Sequence, residues 1–145
     1  NTSENRINLC QKASITLLVE GEAIKIPFSK IGCISELELW HLDEYIRGKN
    51  NDLSKLGVDF RDWVTVRFES KNNWLTVKIN DKMALEFSMK GRINKLHGLI
   101  YSFEGTGEIE SLLLKNSRKT YFQWPPQRAE DGLWPYFFQC WKLVP

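Results

Sequence analysis

Residues 63–79 read WVTVRFESKNNWLTVKI, and this stretch decides the fold of the chain. Apolar side chains alternate with polar ones on both sides of a polar cluster at residues 70–73. Alternation with a period of two is typical of a strand buried on one face, and clustered Ser and Asn residues are typical of a turn. The stretch therefore predicts an antiparallel hairpin with strands over residues 63–69 and 74–79.

A second hairpin is predicted over residues 15–28. Alternating apolar residues flank Gly21-Glu22, which we take as the centre of a two-residue turn. The opposed pairs are then Val19 with Ile24, Leu17 with Ile26, and Ile15 with Phe28. All of these apolar side chains share one face, as a consistent register requires. Pro27 has no amide proton to donate, so its position predicts a sheet edge or a strand end.

The same register places Cys10 opposite Cys33. This predicts a cross-strand disulfide if the chain resides in an oxidising compartment, although a bulge at Gly32 would remove the alignment. The chain has three cysteines, Cys10, Cys33 and Cys140, and an odd number cannot pair fully within one chain. The alternative is that all three are buried or incidental thiols.

Short alternating segments recur along the rest of the chain. They predict further strands over residues 36–40, 85–89, 96–103, 109–114 and 136–144, and helical turns over residues 41–47 and 53–56. Many short strands separated by turn signals favour an all-β, antiparallel β-sandwich with one or two short helical turns. We find no internal repeat and no linker, so residues 1–145 form a single domain in this interpretation.

Bulk composition excludes several classes of protein. The 145 residues carry 20 Lys and Arg against 18 Asp and Glu, a net charge of +2, which argues against a nucleic-acid partner. No run of 18 apolar residues exists, so we expect no insertion of this segment into a membrane. The chain begins with Asn1 rather than Met, so we expect it to be a fragment or a processed part of a longer protein.

The stretch from Trp63 to Leu114 resembles the concanavalin A-like jelly roll in its LamG-like or laminarinase-like form. Three pieces carry the resemblance: DFRDWV, WVTVRFESKNNWLTVKINDK and LHGLIYSFEGTGEIESLLL. The chain has Asp81 where the family typically has Gly, and Glu110 where it typically has Asp. The resemblance implies recognition of carbohydrate or protein, outside the cytoplasm: periplasmic, at the cell surface or secreted.

Paired carboxylates are the candidates for catalysis, because related jelly rolls include glycoside hydrolases. The pairs Glu36-Leu-Glu38 and Glu108-Ile-Glu110 each place two acids on one face of a predicted strand. Neither pair has the third acid of the Glu-x-Asp-x-x-Glu pattern that the hydrolases carry. We therefore interpret both as solvated outer faces and predict no enzymatic activity, with a divergent glycoside hydrolase as an alternative.

Metal ligands are sparse in the sequence. The loops Asn50-Asn51-Asp52, Asn72-Asn73 and Asn80-Asp81 offer oxygen atoms of the kind that calcium prefers. Their spacing matches no calcium-ligand pattern, so we predict no cofactor and no metal site and keep calcium as an alternative.

Aromatic residues are abundant, with 6 Trp, 4 Tyr and 8 Phe, and eight of these lie within residues 119–145. Exposed Trp and Tyr side chains stack on sugar rings and anchor protein partners. The candidate ligand-binding residues are Trp74, Trp124, Trp40, Asn72, Asn73, Trp134 and Tyr136. The alternative is that most aromatic side chains fill the core. The sequence favours a non-catalytic, lectin-like binding module, with a protein-interaction or sensor domain of a larger protein as the second interpretation.

Overall fold

The computed structural model describes residues 10–41, 44–89, 95–105 and 107–126, and the described part of the chain is all-β. Eleven strands are present: β1 (Lys12–Val19), β2 (Glu22–Lys30), β3 (Glu38–His41), β4 (Glu44–Arg47), β5 (Gly57–Val58), β6 (Val66–Lys71), β7 (Trp74–Ile79), β8 (Lys82–Ser88), β9 (Leu96–Phe103), β10 (Leu112–Lys115) and β11 (Thr120–Trp124). Two 3₁₀ turns, Ile34–Glu36 and Ser54–Leu56, complete the described elements. The predicted strand over residues 136–144 and Cys140 lie outside the described residues.

The strands form two larger sheets and two separate hairpins. One sheet has the order β5-β2-β1-β9 and another the order β6-β7-β8, while β3 pairs only with β4 and β10 only with β11 within the described residues. All pairings are antiparallel except that of β2 with β5, which is parallel over Ser29–Gly57 and Lys30–Val58. The predicted antiparallel arrangement therefore holds for every described strand pairing except this short one.

The hairpin of β1 and β2 forms with a different register from the predicted one. The turn residues are Glu20 and Gly21, so Val19 pairs with Glu22 and Leu17 with Ile24. Gly21 has a φ of 79°, a conformation that glycine adopts without the steric cost of a side chain. Because the slip is two residues, every side chain keeps its predicted face. Pro27 lies in β2 where the side away from β1 has no described partner, as its missing amide proton predicts.

Cys10 and Cys33 form a disulfide, with Cα atoms 5.5 Å apart. The observed register would place Cys10 opposite Ile31 instead. A turn corrects this offset, because the Cys33 amide donates to the Lys30 carbonyl at 2.9 Å and Gly32 has a φ of 90°. The two cysteines therefore meet because of the turn at Gly32, and not because of the strand register from which the disulfide was predicted.

The segment from residue 41 to residue 47 was predicted as a helical turn, and this prediction is wrong. Residues 44–47 form β4, which pairs with β3 so that Leu39 lies opposite Ile46. Leu39 is buried in the core and Ile46 packs against it. Burial of these two side chains outweighs the local stop signal of Gly48. The other predicted turn, over residues 53–56, is confirmed as the 3₁₀ turn that ends at Gly57.

The β6-β7-β8 sheet matches the opening stretch of sequence. Strand β7 covers the predicted residues 74–79, whereas β6 begins at Val66, three residues after the predicted start. Both turns of this sheet have two central residues with positive φ: Asn72 and Asn73 at 50° and 64°, then Asn80 and Asp81 at 48° and 62°. Such turns match the right-handed twist of paired strands and favour Asn, Asp and Gly.

One hydrophobic cluster joins the two larger sheets and the hairpin of β3 and β4. Each of the three contributes to its most deeply buried side chains: Ile26 from β2, Leu39 from β3, and Leu75 and Val77 from β7. Leu37, directly before β3, and Leu56, in the second 3₁₀ turn, are buried as deeply. The alternation of β7 explains this, because Leu75, Val77 and Ile79 face the cluster while Trp74, Thr76 and Lys78 face away. Among the described residues, no helix is long and apolar enough to cross a membrane.

Candidate functional site

The outer face of the hairpin of β3 and β4 is the candidate site. Alternation along the two strands turns Leu39 and Ile46 inward and leaves Trp40 and Tyr45 on the opposite face. Leu39 is only 1% exposed, so the inner face is fixed in the core. We call the outer side chains the aromatic platform; it comprises Glu38, Trp40, Tyr45 and Arg47.

Trp40 and Tyr45 form the centre of the aromatic platform. They lie directly opposite one another in the antiparallel register, and their ring centroids are 4.4 Å apart with an interplanar angle of 29°. Stacking of this kind stabilises one orientation of each ring. Trp40 nevertheless remains 65% exposed. The result is an indole ring that is held in place and still available to a ligand.

Glu38 and Arg47 form the polar border of the aromatic platform. They are also an opposed pair, with Arg47 Nε 3.9 Å from Glu38 Oε1. The Arg47 guanidinium carbon lies 4.8 Å from the centroid of the Tyr45 ring. Tyr45, and to a lesser extent Glu38, raise the pKa of Arg47. The border thus offers hydrogen-bond donors and acceptors next to a flat apolar surface.

The paired carboxylates do not form one acidic site. Glu36 lies in a 3₁₀ turn and Glu38 in β3, so the expectation that both share one face of a strand is wrong. Lys12 Nζ lies 3.0 Å from Glu36 Oε2, and this contact raises the pKa of Lys12. Glu38 instead lies near Arg47. Glu108 and Glu110 are exposed on either side of the buried Ile109.

Trp74 is exposed, as its place in the sequence predicts. It is the first residue of β7, lies opposite Lys71 of β6 and Ser88 of β8, and is 49% exposed. Further along the same outer face, Lys78 Nζ lies 2.7 Å from Glu69 Oε2. The neighbouring candidates Asn72 and Asn73 are the two central residues of the β6–β7 turn. Both residues have positive φ, a conformation that favours Asn, so the presence of Asn at these two positions is explained without a ligand.

Trp124 is half-buried at the end of β11, opposite Leu112. The strand ends there, immediately before Pro125 and Pro126, as the missing amide protons of proline predict. Trp40, Trp74 and Trp124 therefore lie in three different sheets, and no ring contact joins them among the described residues. The remaining aromatic candidates, Trp134 and Tyr136, lie outside the described residues.

The loops considered for calcium use several of their polar atoms within the fold. Asp52 Oδ1 accepts from the Ser54 amide, and Asn80 Oδ1 accepts from the Thr65 amide, both at 2.9 Å. Asp81 Oδ1 lies 2.9 Å from Arg67 Nη2. Within the described ranges, no group of three His, Cys, Asp or Glu side chains is placed to hold a metal ion.

Sequence reasoning missed Tyr45 and Arg47 because it assigned their segment to a helical turn. The available signal was the alternation of Tyr45 and Arg47 with the apolar Ile46. Pairing residues 44–47 with residues 38–41 across a two-residue connection places Tyr45 opposite Trp40, as the structure has it.

No family model, curated protein or solved structure matches this chain.

Proposed function

We propose that this chain is a non-catalytic binding module that recognises carbohydrate through the aromatic platform. The observation that carries the proposal is Trp40, which is stacked against Tyr45 yet 65% exposed. An exposed aromatic ring whose orientation is fixed by a stacked neighbour offers a preorganised flat surface to a ligand.

The chemistry of the aromatic platform fits a sugar ring. A pyranose has an apolar face of C–H groups and a rim of hydroxyl groups. The indole of Trp40 supplies a flat surface for the apolar face. Arg47 supplies donors and Glu38 supplies acceptors for the hydroxyl groups at the rim. The charges of Glu38 and Arg47 already lie near each other and partly compensate. Their exposed atoms can therefore bind a neutral sugar without leaving either charge unpaired.

The same proposal extends to the architecture and the location of the protein. We propose that the β5-β2-β1-β9 and β6-β7-β8 sheets are the two layers of a β-sandwich of the jelly-roll kind, an arrangement supported by their shared hydrophobic cluster. The disulfide of Cys10 and Cys33 supports an extracytoplasmic location, because disulfides persist in oxidising compartments.

A glycan array followed by tryptophan-fluorescence titration tests the proposal. We expect Trp40→Ala to weaken binding of the selected glycan by about 30-fold, the effect of about 2 kcal/mol that a central aromatic contact contributes. Tyr45→Ala should also weaken binding, because the indole loses its support.

Trp74→Ala is the matched control, because it removes an exposed Trp from the end of a strand in a different sheet. We expect this variant to bind as the unaltered chain does. Absence of binding to every glycan, or loss of binding in Trp74→Ala with none in Trp40→Ala, would contradict the proposal.

A further inference from the structure

The hairpin of β10 and β11 exposes apolar side chains on both of its faces. Leu114 and Phe122 are opposed on one face, and Leu113 lies on the other. Leu113 is 51% exposed and Tyr121 is 57% exposed, while Leu112 and Trp124 at the base are half-buried. Large apolar side chains are thus exposed on both faces beyond the base of the hairpin.

Little in the described structure supports this hairpin. Its strands contact each other and make few contacts with the other described elements. None of its side chains belongs to the hydrophobic core cluster described above. A two-stranded hairpin is marginally stable by itself in water, and apolar side chains that stay exposed add nothing to its stability. A partner that covers them would stabilise the hairpin.

The tip of the hairpin is positively charged. Residues 112–126 contain Lys115, Arg118 and Lys119 and no Asp or Glu, whereas the whole chain has a net charge of only +2. Asn116 orders the tip, because its Oδ1 accepts from the amides of Arg118 and Lys119, both at 2.8 Å. The three cations are therefore concentrated next to the exposed apolar side chains.

We propose that the tip of this hairpin binds peripherally to a membrane surface that contains anionic lipids. A protein partner would cover one face of a two-stranded hairpin, whereas the headgroup region of a bilayer surrounds a tip from both sides. Leu113, Leu114, Tyr121 and Phe122 would lie at the headgroup level, where aromatic and aliphatic side chains bind favourably. Lys115, Arg118 and Lys119 would contact the lipid phosphates.

Cosedimentation with vesicles tests the proposal directly. We expect the chain to sediment with vesicles of phosphatidylcholine mixed with phosphatidylglycerol, and not with phosphatidylcholine alone. Binding should weaken at high salt, because salt screens exposed charges. The triple substitution Lys115→Gln, Arg118→Gln and Lys119→Gln should lower the partition coefficient by about 100-fold, since each cation near an anionic surface contributes about fivefold.

The matched control is Lys49→Gln, Lys55→Gln and Lys82→Gln, which changes the net charge equally at three exposed positions outside the hairpin. We expect this control to bind as the unaltered chain does. A separate variant, Leu113→Gln with Leu114→Gln, tests the apolar contribution and should weaken binding at constant net charge. Circular dichroism verifies that each variant is folded.

Three results would overturn the proposal. The first is equal binding to vesicles with and without phosphatidylglycerol, or none to either. The second is an equal loss in the control triple variant. The third is evidence that something other than a membrane covers the hairpin. This would be a dimer in analytical ultracentrifugation that Leu113→Gln dissociates, or retention on single-stranded DNA that the hairpin triple variant abolishes. Trp40→Ala separates this proposal from the carbohydrate proposal, because it should leave vesicle binding unchanged.

Discussion

Two hairpins of nearly equal size expose aromatic side chains, and they differ in what lies beneath them. The hairpin of β3 and β4 places Leu39 in the core and presents Trp40 and Tyr45 on its other face. The hairpin of β10 and β11 places none of its side chains in that core and exposes apolar groups on both faces. Within the part of the chain that the structure describes, the first hairpin is anchored in the core and the second is not.

The difference shows that exposure alone does not define a binding site. An exposed ring on an anchored hairpin keeps its orientation without a ligand, so little conformational freedom is lost on binding. An exposed apolar group on an unanchored hairpin instead gains stability when a partner covers it. The first arrangement fits selective recognition of a small ligand, and the second fits contact with an extended surface.

The largest effect is expected from truncating the buried side chain that anchors the hairpin of β3 and β4. Leu39→Ala should lower the free energy of unfolding by about 3 kcal/mol, because it leaves a cavity in the core. Leu114→Ala deletes the same atoms from the unanchored hairpin and should change stability by at most about 0.5 kcal/mol. Urea denaturation of both variants measures the contrast, and equal losses would show that the two hairpins are anchored alike.

Removing the disulfide should have the next largest effect. Cys10 and Cys33 are 23 residues apart, and a cross-link closing such a loop stabilises a fold by about 3 kcal/mol in the chain-entropy model, often less in practice. Cys33 directly precedes the 3₁₀ turn that leads into β3. In the double variant Cys10→Ser, Cys33→Ser, we expect hydrogen exchange to accelerate in β3 and β4 relative to β10 and β11. Uniform acceleration along the chain would argue against a local effect.

A double-mutant cycle tests the stacking of the aromatic platform. Trp40→Ala, Tyr45→Ala and the combined variant should give a coupling free energy of about 1 kcal/mol, as stacked aromatic pairs do. The matched cycle in the other hairpin uses Lys119 and Tyr121, whose Nζ-to-ring distance is 4.7 Å. We expect about 0.5 kcal/mol there, because exposed cation–π contacts are weaker. A larger coupling in the second cycle would reverse the ranking of the two hairpins.

Acidification should have the smallest effect and should spare the unanchored hairpin. Arg61 lowers the pKa of Asp59 to about 2 from its ordinary value of 3.8. Because the folded-state pKa is the lower one, the unfolded chain takes up the proton first. The stabilisation is therefore present above pH 4 and is lost as the pH falls toward 2. Asp59 is exposed to solvent, so the loss should be small.

The measurement is urea denaturation between pH 5 and about pH 2, compared with Arg61→Gln. This variant removes the guanidinium but keeps the residue 61 amide, which donates to Asp59 Oδ1 at 3.1 Å, so the pKa of Asp59 should rise part of the way toward its ordinary value. The pH dependence should therefore be weaker. Hydrogen exchange in β10 and β11, corrected for the intrinsic effect of pH on the rate, should not respond to the titration of Asp59. Residues 112–126 contain no carboxylate side chain. An equal pH dependence in both proteins would show that this ion pair does not affect stability.

The predictions that succeeded concern short-range patterns. The alternation of residues 74–79 predicted β7 with its buried and exposed faces, and the Asn residues before it predicted the turn. The exposure of Trp74 followed from the same alternation. These features depend on neighbours one or two positions away, which sequence periodicity records directly.

The predictions that failed required knowledge of a distant partner. The register of β1 and β2 depended on which residue pair formed the turn, and the turn at Gly32 then brought Cys33 to Cys10. The helical turn assigned to residues 41–47 failed because Leu39 and Ile46 gain more from burial than a short helix gains from its local signals. Local propensities are weak beside burial in a shared core.

The sequence by itself determined that this chain is all-β and which face of β7 is apolar, because side-chain alternation is a property of the strand alone. Only the tertiary structure decided that Tyr45 stacks on Trp40, that β3 and β4 are anchored in the core, and that β10 and β11 lie outside this core among the residues described. Each of these depends on which surfaces meet. The hydrophobic effect is nondirectional. An apolar face in the sequence therefore indicates that the face will be buried, but it does not indicate which other surface will bury it.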